Sequence, residues 1–522
     1  MEERVLVILE VSQKQAYIFS SNKLKDNIVN SAVIAWIMSG EYFEKVAADA
    51  ELFSISKNLV YSGGGHTVLE FASCDKAKQF VSVLTKKIYK EYEGIDVFAK
   101  IVKYDTKKSP SDNLSMLTTE LEKKKSVRKS VFHQGSYGIE KIDSNTLMPK
   151  RWPKTNGTVM PEEEEENDKK LCPKNFKRSF KFDELGGSKH NSNFIAVVHI
   201  DGNAMGKRVE QFYKKCDQLD WGHFKEKIRT FSESIDKDFK QSYLEMVQCI
   251  ADMVDKNELE ELNLEEKKLP IRRIITAGDD ICFVTEGRIG IECASLFLKI
   301  LSTKKNKEDG ELYAACAGVA IVHQKYPFFK AYELSEMLCK NAKKFAASLS
   351  KDGTGSDVSA IDWHVEFGEI KDTLEDIRKD YKIKDNWSLE LRPYIVSATS
   401  EIKAREPIRQ YDKFRKLITR IQKNEINYAR GKLKELRNVL KQGEDATTYF
   451  LKFNQIESLK LVCYQDVFVE MELNKILTGQ SIQQKIFVKT ADGKNRSLLF
   501  DTIESLDTFI ALNDYSDKGE NP

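Results

Sequence analysis

At 522 residues, with 41% hydrophobic and 31% charged side chains, the chain has an ordinary globular composition and is too long for one core, so two to four domains are expected. Its 83 Lys and Arg nearly cancel its 81 Asp and Glu, which excludes a polybasic field over the whole molecule and leaves residues 103–129 as the local basic candidate. No apolar run approaches the roughly eighteen residues of a membrane span, and the opening residues lead straight into Val5–Leu9 without a basic leader, so neither a span nor a signal peptide is expected.

The nine cysteines are scattered, mostly in apolar segments, with no Cys-x-x-Cys pair, and the seven histidines are isolated. That usage reads as reduced thiols in a cytoplasmic protein with no zinc site.

In chain order, the first expected element is a strand over Val5–Val11 that carries Glu10 near its end, followed by a helical segment from Gln15 to Glu44. Residues 58–71 read as two apolar runs around the turn Ser62-Gly63-Gly64-Gly65-His66. A helix over Cys74–Tyr92 and a strand over Val97–Tyr104 complete a first unit, residues 1–105. Ser111–Arg128 has Leu114, Leu117 and Leu121 at helical spacing, whereas the chain after His133 is Pro-, Asn- and charge-rich. Residues 106–192 are thus expected to be a helical and flexible linker, with the Glu162–Glu166 run as a solvated loop.

The same order of elements then returns in residues 193–370. A strand over Phe194–Ile200 ends in Asp201-Gly202-Asn203, helices run to Asp255, and a hairpin over Arg273–Val284 turns at Ala277-Gly278-Asp279-Asp280. Helix Gly290–Leu301, strand Tyr313–Val322 and helix Ala331–Leu349 follow. The fold class is therefore α+β, two ferredoxin-like β-α-β-β-α-β units of the kind on which polymerase palms are built. Residues 371–522 carry helix-period Leu and Ile and are expected to form an α-helical C-terminal domain.

Carboxylates at adjacent strand ends repel one another and raise each other's pKa, so a cluster of Asp201, Asp279 and Asp280 calls for a cation. Oxygen ligands without His or Cys favour Mg2+ or Mn2+, and a pair of ions about 3.5–4 Å apart is the arrangement that serves nucleotidyl transfer. Asp201 and one or other of Asp279 and Asp280 are the expected catalytic and metal-bridging residues. The carbonyl of Ile200 or of Gly202 is a further candidate oxygen.

Gly202, Asn203 and Gly278 are expected beside the nucleotide, because a glycine tip lets phosphate approach closely. Lys343 is the candidate partner of the triphosphate, against the alternative of a solvent-facing lysine. The first unit keeps only Glu10 and the Gly65-His66 turn at the matching places, so it is not expected to be a metal centre. Its Gly63, Gly64, Gly65 and His66 turn, with Ser31 on the helix face, is the candidate cradle for a second nucleotide, His66 being equally readable as a plain turn residue.

Taken in order, Lys14–Lys25, Ser62–His66, Asp201–Lys207, Ala277–Asp280, Ala342-Lys343 and Leu391–Tyr394 make the chain resemble the large palm-containing subunit of type III CRISPR effectors, the Cmr/Csm large-subunit family. A distant kinship to GGDEF-type cyclases follows from the same palm. The resemblance implies a cyclase that makes cyclic oligoadenylate from ATP in antiviral defence, with CRISPR RNA, effector-complex subunits and an activating target RNA as partners. The chain departs from that family at Ala277, where a double glycine is usual, and at Asn203, where a second acid is usual. It also has no His-Asp dyad for an N-terminal HD nuclease, and Cys172 stands alone in the linker. A palm-fold scaffold with weak chemistry, and a cyclase that uses GTP, remain the alternative readings.

Overall fold

The computed structural model describes residues 4–48, 52–63, 65–92, 94–127, 159–186, 193–368, 371–423, 429–454, 487–490 and 492–512. In the first unit, strands β1 (Val5–Ser12), β2 (Leu59–Gly63), β3 (His66–Phe71) and β4 (Asp96–Lys103) form a sheet in the order β2-β3-β1-β4. All three pairings are antiparallel. This is the ferredoxin-like order expected from the pattern. The helical segment after β1 is broken into Lys14–Ile18, Leu24–Ile37 and Gly40–Ala47, the last capped by the Ser39 hydroxyl accepting from the Tyr42 N–H.

The second unit repeats that order around β5 (Phe194–Gly202), β6 (Ile271–Ala277), β7 (Asp280–Glu286) and β8 (Ala315–His323), then extends it with β9 (Val358–Val365). Strands β10 (Lys382–Lys384) and β11 (Trp387–Ser388) follow, and then β12 (Tyr394–Ala398) returns to the palm sheet, whose full order is β12-β9-β8-β5-β7-β6. The expected boundary at residue 370 is thus crossed by the chain. The region beyond it is mainly helical, as its leucine periodicity implies, yet β13 (Phe487–Lys489) and β14 (Asn495–Ser497) also join β10 and β11 in a second four-stranded sheet.

Alternation along β5 divides the palm core. Ala196, Val198 and Ile200 face the layer holding helices Trp221–Asp255 and Gly290–Ser302, while Ile195 and Val197 face the layer that includes helix Phe328–Leu349 and the first unit. The two palms share this apolar packing: Phe19 stacks on Tyr332 with ring centroids 4.0 Å apart, and Gln15 donates to the Tyr332 hydroxyl at 2.9 Å. The long helix lies against the edge strand β2, where Arg229 and Ser232 donate to the carbonyls of Val60 and Ser62 at 3.3 and 3.2 Å.

Within the linker, Pro110–Val127 is the expected helix. The acidic run, however, is not a loop: Glu162–Lys170 is a helix whose first turn carries four glutamates, where they complement the helix dipole. Among the described residues no helix is long and apolar enough to cross a membrane.

Candidate active site

Strands β5 and β7 bring the acids together. Asp201 and Asp280 are direct register partners, and on its other side Asp201 faces Cys316 of β8. Ala277 pairs with Asp280, so Gly278 and Asp279 form a two-residue turn, and Gly278 has a φ of 64°, a conformation costly to any residue with a side chain. Within the turn, only this position demands glycine. Ala277 is an ordinary, exposed strand residue, so its methyl places no strain on the turn.

The Gly278 N–H is held by Asp236 Oδ1 at 3.2 Å, and Asp236 in turn pairs with Lys240 at 2.7 Å. Gly202 is required by close approach: a Cβ there would lie 2.6 Å from Met205 Cγ and 3.0 Å from Asp279 Cβ.

Lys343, on the helix covering this face, reaches the same edge. Its Nζ lies 2.6 Å from Asp201 Oδ2 and donates to the Gly202 carbonyl at 2.8 Å. Burial would lower the Lys343 pKa, but the Asp201 charge outweighs it and holds the ammonium protonated. Asp279 is pushed up to about 6, first by burial and then by the charges of Asp201 and Asp280. Asp280 is raised as well, chiefly by burial, with His199 and Lys14 opposing and Asp201 adding. Its Oδ1 is buried 3.5 Å from His199 Nδ1, and neither atom has a hydrogen-bond partner among the described residues.

An orphaned carboxylate oxygen and a second acid held near neutrality, in an all-oxygen donor set, suit a hard divalent cation. The cage is not closed as it stands. Among the described residues no group of three or more His, Cys, Asp or Glu is gathered to hold an ion, and Asp201 is paired with Lys343.

The remaining candidates divide. Ile200 stands within the ladder between Ile281 and Ala317, and of the two carbonyls considered it is that of Gly202 which faces Lys343. Asn203 is turned inward rather than toward a nucleotide. Its amide donates to the carbonyls of Gly355 and Val358 at 3.0 and 2.8 Å, and only 6% of the residue is exposed. An amide can donate to those carbonyls and an ionised acid cannot, which accounts physically for asparagine at this position.

In the first unit Gly63 lies against Ser232 of the long helix, and Gly65, at φ 83°, lies under the Lys14 ammonium. His66 Nε2 is 2.9 Å from the Tyr61 hydroxyl, and Ser31 is half-buried on its helix. Gly64 lies outside the described residues. His199 was missed, although a histidine two residues before Asp201 in an otherwise apolar strand lies on the same face and was a readable signal.

A twice-repeated ferredoxin-like sheet, with carboxylates where its central strand meets a glycine-tipped hairpin, defines the palm class shared by polymerases and nucleotide cyclases. Residues 194–352 match the family model described as Cas10/Cmr2, second palm domain, and the second unit is a palm of that Cas10-like kind. No curated protein matches the chain.

Among solved structures, the Csm1–Csm4 cassette in complex with cA3 is 12% identical with a TM-score of 0.55, covering 98% of this chain and 70% of that one. The apo Csm1–Csm4 cassette is 14% identical with a TM-score of 0.54, at the same coverage of 98% and 70%. The cassette in complex with AMPPNP is 15% identical with a TM-score of 0.44, and there the chain spans 53% of its length. The first two likenesses establish the fold.

Proposed function

We propose that the second palm is a metal-dependent nucleotidyltransferase that converts ATP into a cyclic oligoadenylate in type III CRISPR-like defence. One observation carries this reading. Asp201 and Asp280 are opposed across the strand pair, beside Asp279 at the turn, with Lys343 bonded to Asp201 and His199 3.5 Å from Asp280 as the close basic partners among the described residues. Three acids so placed repel each other unless a further cation joins them.

Asp201, Asp279 and Asp280 would hold Mg2+ or Mn2+, with the Gly202 carbonyl beside them. Bound there, the ions supply charge neutralisation to the triphosphate and acidity to the attacking hydroxyl. Lys343, once released from Asp201, pairs as a point charge with the triphosphate. Gly278 keeps the hairpin tip free of a side chain where phosphate approaches, and Gly202 leaves room for Asp279. The first unit, with Gly63, Gly65, His66 and Ser31 at its turn and helix face, provides the wall for a second nucleotide.

The Csm1–Csm4 cassette of similar fold in complex with cA3 supports an adenylate product and an effector-complex subunit as partner. ATP as substrate, guide RNA and an activating target RNA complete the proposal. The test is mass spectrometry of products from ATP with Mg2+ or Mn2+, beside Asp279→Ala/Asp280→Ala. Cyclic adenylate from the wild type alone supports the reading, and equal product from the double variant overturns the metal assignment.

The absence of a closed acidic cage among the described residues favours, as second reading, a scaffold whose chemistry is weak. Product that forms only with effector partners and target RNA decides for the cyclase, and none under any condition for the scaffold. GTP run in parallel settles the base.

A further inference from the structure

The linker helix Glu162–Lys170 delivers one carboxylate into the palm. Asp168 is fully buried and meets three arginines: Arg272 through both oxygens at 2.9 and 2.6 Å, Arg273 at 2.9 Å and Arg178 at 2.6 Å. Burial alone would raise its pKa, but Arg272 and Arg273 outweigh burial and hold the carboxyl well below the usual range.

Neighbouring residues of a strand ordinarily point to opposite faces. Arg272 and Arg273 pair in succession with Val284 and Phe283 of β7, yet both long guanidinium side chains reach the one acid. The second fork of Arg273 goes on to Thr276 Oγ1 at 2.6 Å, one residue before Ala277 and three before Asp279. The linker is also docked beside the entry to β6, where Lys177 N–H donates to the Lys267 carbonyl at 2.7 Å and Lys268 pairs with Glu184 at 2.9 Å.

We infer that Asp168, acting through Arg273 and Thr276, is a positioning residue for the hairpin tip that carries Asp279 and Asp280, so that the linker fixes the acidic edge of the palm. What the tip does chemically rests on the function proposed above. Its placement by Asp168 does not.

Substituting Asp168 strands three buried cations and endangers folding, so the decisive variant is Thr276→Val, with Thr276→Ser as the conservative rescue. Amide hydrogen exchange of residues 277–280 and Mn2+ binding are read beside the melting temperature.

Losing one charge-assisted hydrogen bond is expected to speed tip exchange about tenfold and weaken Mn2+ binding several-fold in Thr276→Val, with melting little changed. Thr276→Ser is expected to restore both. Unaltered exchange at 277–280 in the valine variant overturns the assignment, as does a serine variant no better than valine. Wild type that binds no Mn2+ and makes no product fails the proposed function, while the exchange result still decides this assignment.

Discussion

Lys343 occupies the oxygens that a divalent ion would need, so removing it has opposite effects on two measurements. In Lys343→Met the ion no longer displaces the contacts at 2.6 Å to Asp201 Oδ2 and 2.8 Å to the Gly202 carbonyl. A hydrogen bond to a charged group contributes about 1.5–3 kcal/mol and one to a neutral carbonyl about 1 kcal/mol. Lys343 is 29% exposed and Asp201 38%, so solvent screening cuts into that sum. A remainder of roughly 1.4–2.8 kcal/mol is a tenfold to hundredfold gain in affinity. The assay is Mn2+ titration by electron paramagnetic resonance at pH 8, well above the wild-type Asp279 pKa of about 6, because losing the Lys343 charge pushes that pKa further up. Product formation should fall in the same variant, because the triphosphate loses its cationic partner. Mn2+ affinity that is unchanged or weaker refutes the idea that lysine and metal compete for the same oxygens.

Three further outcomes follow from the same geometry. Asn203→Asp should lower stability by about 2–4 kcal/mol, read as a drop in melting temperature, because two buried carbonyls lose their donor and face a charge instead. Gly202→Ala should cost about 1–3 kcal/mol of stability, because its methyl would lie 2.6 Å from Met205 Cγ, and at 3.0 Å from Asp279 Cβ it should also displace that acid and weaken Mn2+ binding, as calorimetry would show. Asp279 has a folded pKa raised to about 6 from 3.8, so the native state keeps its proton after the unfolded chain has lost it, and stability falls as pH rises from about 4 to 6. Asp279→Asn should remove that fall and be more stable above pH 6 by about 1 kcal/mol, a figure discounted for partial exposure, with denaturant melts at pH 4 and 7.5 as the check.

The first palm and the acidic edge were legible because they follow from local pattern. Alternating strands, a glycine at a tight turn and aspartates at strand ends state their geometry within a few residues, and Asp201 and Asp280 meet as their positions implied. Strand β9 was illegible for the opposite reason. Ser359, Asp362 and His364 interrupt its apolar period, yet all three are buried, Asp362 against Arg378 and Asn341 from elsewhere in the chain. The linker helix was hidden likewise. A run of glutamates looks solvated, and nothing local marks Asp168 as the residue two of whose three arginine partners lie about a hundred positions away. Asn203 misled because a polar residue beside a catalytic motif invites a functional reading, while its two acceptors come from the turn before β9 and from the first residue of that strand.

One apolar cluster contains Val5, Val7 and Phe19 of the first palm together with Ile195, Val197, Ala320 and Tyr332 of the second. The halves of this duplicated chain are therefore not modules that can be parted. A cut near residue 190 would bare greasy surface on both fragments, and neither is expected to stay in solution alone. Heating the intact protein should dissolve both palms in a single calorimetric peak. A duplication whose copies have come to share one interior ties their fates, and a core substitution in the copy without the acids will be felt in the copy that keeps them.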